Sequence, residues 1–265
     1  MGIFDKFKKK KMWEQTKTQK EAKGIFVGFA LLQDNHWDKE QLIRDLKADW
    51  GLDVVEDGDR DENSLVFSVD RTMASVALMA APIPDGEAEL NAANNYMWPE
   101  AVETAKAHQA HLMVAVLGLD EDIFKTSCLT VKLLSSCCRQ KNILGVYSCG
   151  TVFEPQFYIA ASEMMKKDSL PLLNWIWFGL YRREGGVCCY TYGMEEFGKE
   201  EMEVLDVNAQ PSDVRDFLLG LVSYVLESDV VLKDGETIGF TAEDKHTITR
   251  SKGVSLPGMT LKIEM

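Results

Sequence analysis

The sequence carries none of the short motifs that mark the common phosphate, nucleophile or zinc chemistries. There is no G-x-G-x-x-G and no G-x-x-x-x-G-K-[ST], so no ready-made loop cradles a phosphate. No G-x-S-x-G elbow presents a serine nucleophile. No H-E-x-x-H helix or C-x2-C pair is present, and only four histidines occur, so zinc has no recognisable ligand set. No apolar run approaches the ~18 residues of a membrane span. Cations are also scarce: 29 Lys and Arg stand against 42 Asp and Glu. An acidic body repels phosphate backbones, which argues against nucleic acid as a partner. No cofactor is expected.

What is present is an ordinary globular composition, 46% hydrophobic and 27% charged. The charge is unevenly placed. Residues 1–23 hold eight Lys and three acids, a net +5, which leaves -18 for the remainder of a chain whose net charge is -13. Within that leader Ile3, Phe4 and Phe7 fall on one side of a helical turn, with Lys8, Lys9, Lys10 and Lys11 beside them. This is a small version of the basic amphipathic pattern that rests on anionic membranes. Phe4, Phe7 and these lysines are therefore membrane-contact candidates, for weak peripheral contact through residues 1–13 at most. The competing reading is a disordered, lysine-rich leader. The six cysteines (Cys128, Cys137, Cys138, Cys149, Cys188 and Cys189) include two vicinal pairs and follow no secretory signal. They read as free thiols in a reducing cytoplasm.

Hydrophobic periodicity gives the elements. Residues 24–32 read as a buried strand. Asp38 is placed to cap a helix, with Gln41 three residues on, Trp37 and Leu42 as a staple and Gly51 as its stop. Strands are expected at 53–56, 64–69 and 73–80, and helices at 87–95 and at 99–108, with Pro99 in the first turn. A strand at 111–117 leads to a long helix at 120–140, whose stripe is Phe124, Cys128, Val131, Leu134 and Cys138. A strand at 142–148 follows. Then come a helix at 154–167, strands at 172–181, 187–192 and 202–207, a helix at 211–227, and short strands at 237–241 and 260–264.

These elements predict an α+β protein with mixed sheets and helices packed on one face. The two halves, 24–118 and 142–265, share a β-α-β-β-β-α-β order around a connecting helix at 119–141. That order suggests two ferredoxin-like units in tandem.

One block carries a resemblance. Residues 192–263 run from Tyr192-Gly193-Met194-Glu195-Glu196-Phe197-Gly198 through a helix to Asp234-Gly235-Glu236-Thr237-Ile238-Gly239-Phe240. This stretch resembles a bacterial family described only as domain of unknown function 4261. A weaker likeness covers 98–118, through Trp98-Pro99-Glu100-Ala101 and Ala107-His108-Gln109-Ala110-His111. The resemblance implies a fold unit and no reaction.

Candidate chemistry is sparse. His108 and His111 sit three residues apart at a helix-to-strand junction, a position that suits either a ligand pocket or a pair of hydrogen-bonded structural histidines. Asn94, Asn95 and Trp98 form a polar-aromatic cluster before Pro99, which could line the same pocket or fill a corner. Cys149 is the best-placed thiol, but His111 is expected at the far end of a parallel neighbour, which argues against a dyad. Cys188 and Cys189 should face opposite sides of a strand. Asp57-Gly58-Asp59-Arg60-Asp61 imitates a calcium loop, but Glu62 and Ser68 occupy the positions that need Gly and Glu. Taken together, the sequence reads as a non-enzymatic binding protein whose partner is another protein, an acidic body suited to a basic partner. The alternative is a hydrolase-like site at His108, His111 and Asn94 or Asn95.

Overall fold

The computed structural model describes residues 24–58, 61–118, 122–239, 241 and 245–265. Phe4, Phe7, Lys8, Lys9, Lys10 and Lys11 lie outside the described residues, as do Asp59, Arg60 and Asp120.

The first apolar run becomes strand β1 (Ile25–Leu32). Asp38 caps helix α1 (Lys39–Trp50): its carboxylate accepts from the Gln41 amide at 2.8 Å, and Gly51 closes the helix in the left-handed conformation. The Asp38 amide is then satisfied from a distance. Gln140 accepts from it at 2.7 Å, while Gln41 donates its side-chain amide to the Arg139 carbonyl.

The chain continues through β2 (Ser64–Val69), β3 (Thr72–Met79), α2 (Glu87–Ala92), α3 (Ala101–Ala107), β4 (Ala110–Gly118), α4 (Ile123–Cys137), β5 (Ile143–Ser148) and β6 (Thr151–Phe153). There follow α5 (Pro155–Ser162), α6 (Leu172–Trp175), β7 (Trp177–Arg183), β8 (Gly186–Tyr192), β9 (Met202–Val207), α7 (Pro211–Glu227), β10 (Thr237–Ile238), β11 (His246–Lys252) and β12 (Met259–Ile263).

The strands form two six-stranded sheets, so the α+β class holds. The first has the order β2-β3-β4-β1-β5-β6 and is antiparallel throughout. The second has the order β10-β11-β12-β9-β8-β7, with β12 and β9 parallel. The shared element order of the two halves therefore does not extend to strand pairing, which departs from the tandem-unit expectation. Strands β5 and β6, beyond residue 142, complete the first sheet. Helices also lie on both faces of that sheet rather than one. Helices α1, α4 and α5 belong to the main core, whereas α2 and α3 pack on the opposite side of β5 and β6.

Several local expectations shift. The strand at 53–56 shrinks to one bridge between Glu56 and Phe67. Residues 172–175 turn helically after Pro171, so the next strand starts at Trp177. Pro99 precedes α3 instead of entering its first turn. Strand β11 was not expected, because its sequence HTITRSK buries only Ile248 and so carries little apolar signal.

Helix α4 is the element around which the first sheet packs. Asp122 caps it, accepting from the Phe124 amide at 2.9 Å. Its burial is not a single stripe. Leu129, Val131, Leu133, Leu134 and Cys137 are buried, while Phe124 and Cys128 are half-buried, because the sheet, α1 and α5 surround the helix. Two glycines let it approach the strands closely. A Cβ on Gly28 would stand 2.7 Å from Leu134 Cδ1, and one on Gly118 would collide with Thr126 Oγ1. The buried hydroxyls of Ser127 and Thr130 bond back to the carbonyls of Phe124 and Thr126 at 3.1 Å each.

In the second sheet a buried carboxylate fixes the C-terminal strands. Glu203 on β9 is fully buried. Its oxygens accept from the amides of Val254 and Ser255, from the Thr260 hydroxyl at 2.8 Å and from Lys262 Nζ at 2.7 Å. Burial alone would push this carboxyl up, but Lys262 and the three neutral donors outweigh it and hold it below the usual range. Glu203→Gln would remove the charge opposite Lys262 and turn an amide NH2 toward donors. We expect it to lower stability by about 3–5 kcal/mol, read as a drop in the urea midpoint. An unchanged midpoint would show that the loop at 253–258 is held by other contacts.

Candidate functional site

The two histidines do converge, on main chain. His108 is buried: its Nε2 accepts from the Ile83 amide at 2.8 Å, and its Nδ1 donates to the Ala105 carbonyl. Both ring nitrogens are thereby used, and the neutral tautomer is specified. His111 Nδ1 donates to the Ala81 carbonyl at 2.9 Å, and its ring meets Phe29 edge-on at 5.6 Å. Burial lowers the affinity of His111 for a second proton. Together the pair pins residues 81–83, the link between β3 and the segment that leads into α2.

The asparagines hold the other end of the same layer. Asn94 donates to the Gly150 carbonyl at 2.9 Å and Asn95 to the Val152 carbonyl at 2.8 Å. Asn95 Oδ1 also accepts from the amides of Met97 and Trp98. Trp98 packs against the small core beneath α2 and α3. Every candidate in this group thus has a positioning contact. Because His108 alone satisfies a buried amide through its ring, His108→Ala should cost about 2–4 kcal/mol. The half-exposed Asn94→Ala should cost less. Urea denaturation of the two variants tests the ranking, and equal losses would contradict it.

Cys149 lies in the β5–β6 turn at φ 49, with its thiol against the Trp175 carbonyl at 3.0 Å and the Asn174 carbonyl at 3.3 Å. Burial pushes it up to about 12, so the reactive thiolate is scarce at neutral pH. Strand β1 lies between β4 and β5, and Leu31 pairs with both His111 and Gly145. Cys149 is four residues beyond Gly145, so no Cys149–His111 dyad forms. Cys188 and Cys189 are both fully buried, where one was expected to be. Among the described residues no group of three or more His, Cys, Asp or Glu side chains is arranged to hold a metal ion.

Sequence reasoning missed Glu201. Its carboxylate accepts from the Thr191 hydroxyl and the Gly193 amide, both at 2.7 Å, and so ties β9 to the turn at 193–197. Burial is the main influence and pushes its pKa up to about 7, against the lowering effect of those two donors. The signal was available: Glu201-Met202-Glu203-Val204 puts two acids on one face of a strand. A carboxyl with a raised folded pKa binds its proton more tightly when folded. Its contribution is full below about pH 4.5 and is lost as pH rises toward about 7, on the order of 3 kcal/mol in all. Glu201→Gln mimics the protonated form. Its melting temperature relative to the parent should therefore climb between pH 5 and pH 8, and a constant difference would contradict the shift.

One side of the first sheet is open in a way that sequence reasoning did not anticipate. Side chains on β1 alternate between two covers: Ala30 and Leu32 face the main core, and Leu31 faces α2 and α3. Beyond Leu31 and Phe29, which pack under α2 and α3, the second side carries exposed apolar residues. Two registers cross β2, β3, β4 and β1 there, through Ile25 with Leu117 and Met73, and Val27 with Ala115 and Ser75. No position in these registers is charged. Ile25 is 39% exposed, Val27 43% and Met73 47%.

Comparison with known proteins bears on one part of the chain. The model of a domain of unknown function, DUF4261, matches residues 190–264. The resemblance expected over 192–263 is thereby found, whereas the weaker likeness at 98–118 falls outside the match. No curated protein and no solved structure matches the chain. Among the described residues no helix is long and apolar enough to cross a membrane.

Proposed function

We propose that this protein is a binding module whose partner is a basic, amphipathic protein segment. The observation that carries the reading is the open side of β1–β4, an uncharged apolar face on a body of net charge -18 beyond residue 23. A contiguous exposed apolar patch with a charged surround is characteristic of a docking site. Exposed Asp70 and Arg71 both adjoin the end of the face where Met73 and Leu117 lie, so the acidity that selects the partner is that of the body as a whole. Opposite charge around such a patch speeds encounter and disfavours acidic partners. The hydrolase alternative has less support, since His108, His111, Asn94 and Asn95 are all engaged with main chain.

The test uses a fluorescent synthetic helix of about 12 residues, with leucines on one side and lysines on the other. Anisotropy should show saturable binding that weakens with salt. Val27→Asp should abolish it by placing a charge in the centre of the face. Binding that is absent from the parent, or indifferent to Val27→Asp, would overturn the reading.

A further inference from the structure

We propose that Met79, His111 and Met113, near the α2–α3 end of the first sheet, form a site for a soft monovalent cation, copper(I). The inference is independent of the docking reading, which rests on the Ile25 end of the same side. Its starting point is register. His111 on β4 lies directly opposite Met79 on β3, and Met113 lies two residues further along β4, opposite Ala77. All three belong to the side of the sheet away from α4, because the residues that alternate with them, Leu78, Leu112 and Val114, pack in the main core. Directly opposite residues hold their Cβ atoms about 4.5–5.5 Å apart, and a diagonal pair such as Met79 and Met113 stands at about 7–8 Å, within reach of long side chains. The residue between the two thioethers on β3 is the small Ala77, which leaves room above the strand.

The imidazole is prepared as a ligand. His111 Nδ1 donates to the Ala81 carbonyl at 2.9 Å, which leaves the lone pair on Nε2. Nε2 makes no hydrogen bond among the described residues. A histidine that binds metal through one nitrogen ordinarily gives the other N–H to a carbonyl or carboxylate in this way. Phe29 steadies the ring from the side. His108 offers no such nitrogen, because main chain engages both of its own. Met79 also lacks a packing role. Methionine commonly fills irregular gaps in cores, but Met79 is 43% exposed at the end of its strand. That exposure gives an ion a way in and out without opening the fold.

The donor set selects the metal. Thioethers favour copper(I), whereas carboxylates and water suit magnesium and calcium. Zinc sites are built from imidazole, thiolate and carboxylate, and only the first is present here. The lack of a cluster of His, Cys, Asp or Glu side chains does not bear on a thioether set. No charged residue stands in the two registers concerned, Leu31 with His111 and Met79, and Phe29 with Met113 and Ala77. A single positive charge is therefore easier to hold beside Leu31 and Phe29 than a double one. The net charge of the body attracts cations to its surface in general.

The test uses protein isotope-labelled only at its methionine methyl groups and carrying Cys128→Ser, which removes a half-exposed thiol that would compete for copper. Copper(I), kept reduced by ascorbate under nitrogen, is added to one equivalent. The methyl signals of Met79 and Met113 should move together. Those of Met73, about 20 Å away along β3, and of Met164 should stay in place. Zinc at the same concentration should move none of the four. Met79→Leu and Met113→Leu keep the side-chain volume and remove the sulfur, so the urea midpoint should hold. Each should weaken copper binding, read by competition with a coloured copper(I) chelator, by no less than the 10–100-fold that loss of a supporting contact typically brings, roughly. Still signals at Met79 and Met113 would overturn the proposal, as would equal movement of all four methionines. An equal response to zinc, or undiminished affinity in both leucine variants, would overturn it too.

Discussion

The close approach of α4 to the first sheet is the constraint on which the rest of the molecule depends. Gly28 and Gly118 remove the two side chains that would hold the helix away. The helix can then bury nearly its whole circumference, including hydroxyls that bond only to their own helix. From this seat Phe124 reaches out to stack on Trp175 at 5.8 Å and on Phe197 at 5.7 Å. Those rings belong to the segments around the second sheet, so the same helix that organises the first sheet also joins it to the second in one continuous apolar core.

Legibility in the sequence followed the strength of local signals. Helix α1 was readable to the residue because Asp38 and Gly51 act through their own backbone neighbours. β4, β9 and α7 were readable because each is a dense apolar run. What failed depended on tertiary context. The 53–56 segment has strand-like residues but only one partner position, at Phe67. Strand β11 has few apolar residues and exists because Gly235, Glu236 and β12 take up its hydrogen bonds. The stripe on α4 was misassigned because a helix enclosed on several sides has no single preferred face.

The candidate site was legible in part. His108, His111, Asn94, Asn95 and Trp98, grouped in the sequence as one candidate pocket, all make structural contacts around the layer formed by α2 and α3. Their type alone could not separate ligand binding from main-chain support, because a histidine that accepts from an amide and one that faces a pocket look alike in sequence. The open sheet face escaped notice for the opposite reason. A strand that is apolar on both sides reads as buried, and only the topology reveals that one cover stops short.

The pairing of the second sheet bears on what the family match means as a physical object. The matched stretch starts at residue 190, but β8 begins at Gly186 and its outer neighbour β7 ends at Arg183. A fragment cut at that border would keep β9 and lose most of the strand beside it. The backbone donors and acceptors of β9 along that side would be bared, and α7 would lose the strands over which it lies. The stretch that the family model matches is therefore smaller than the sheet to which it belongs. Any excision of it as an independent domain has to begin upstream of Trp177, within reach of the aromatic contacts that anchor it to the remainder of the protein.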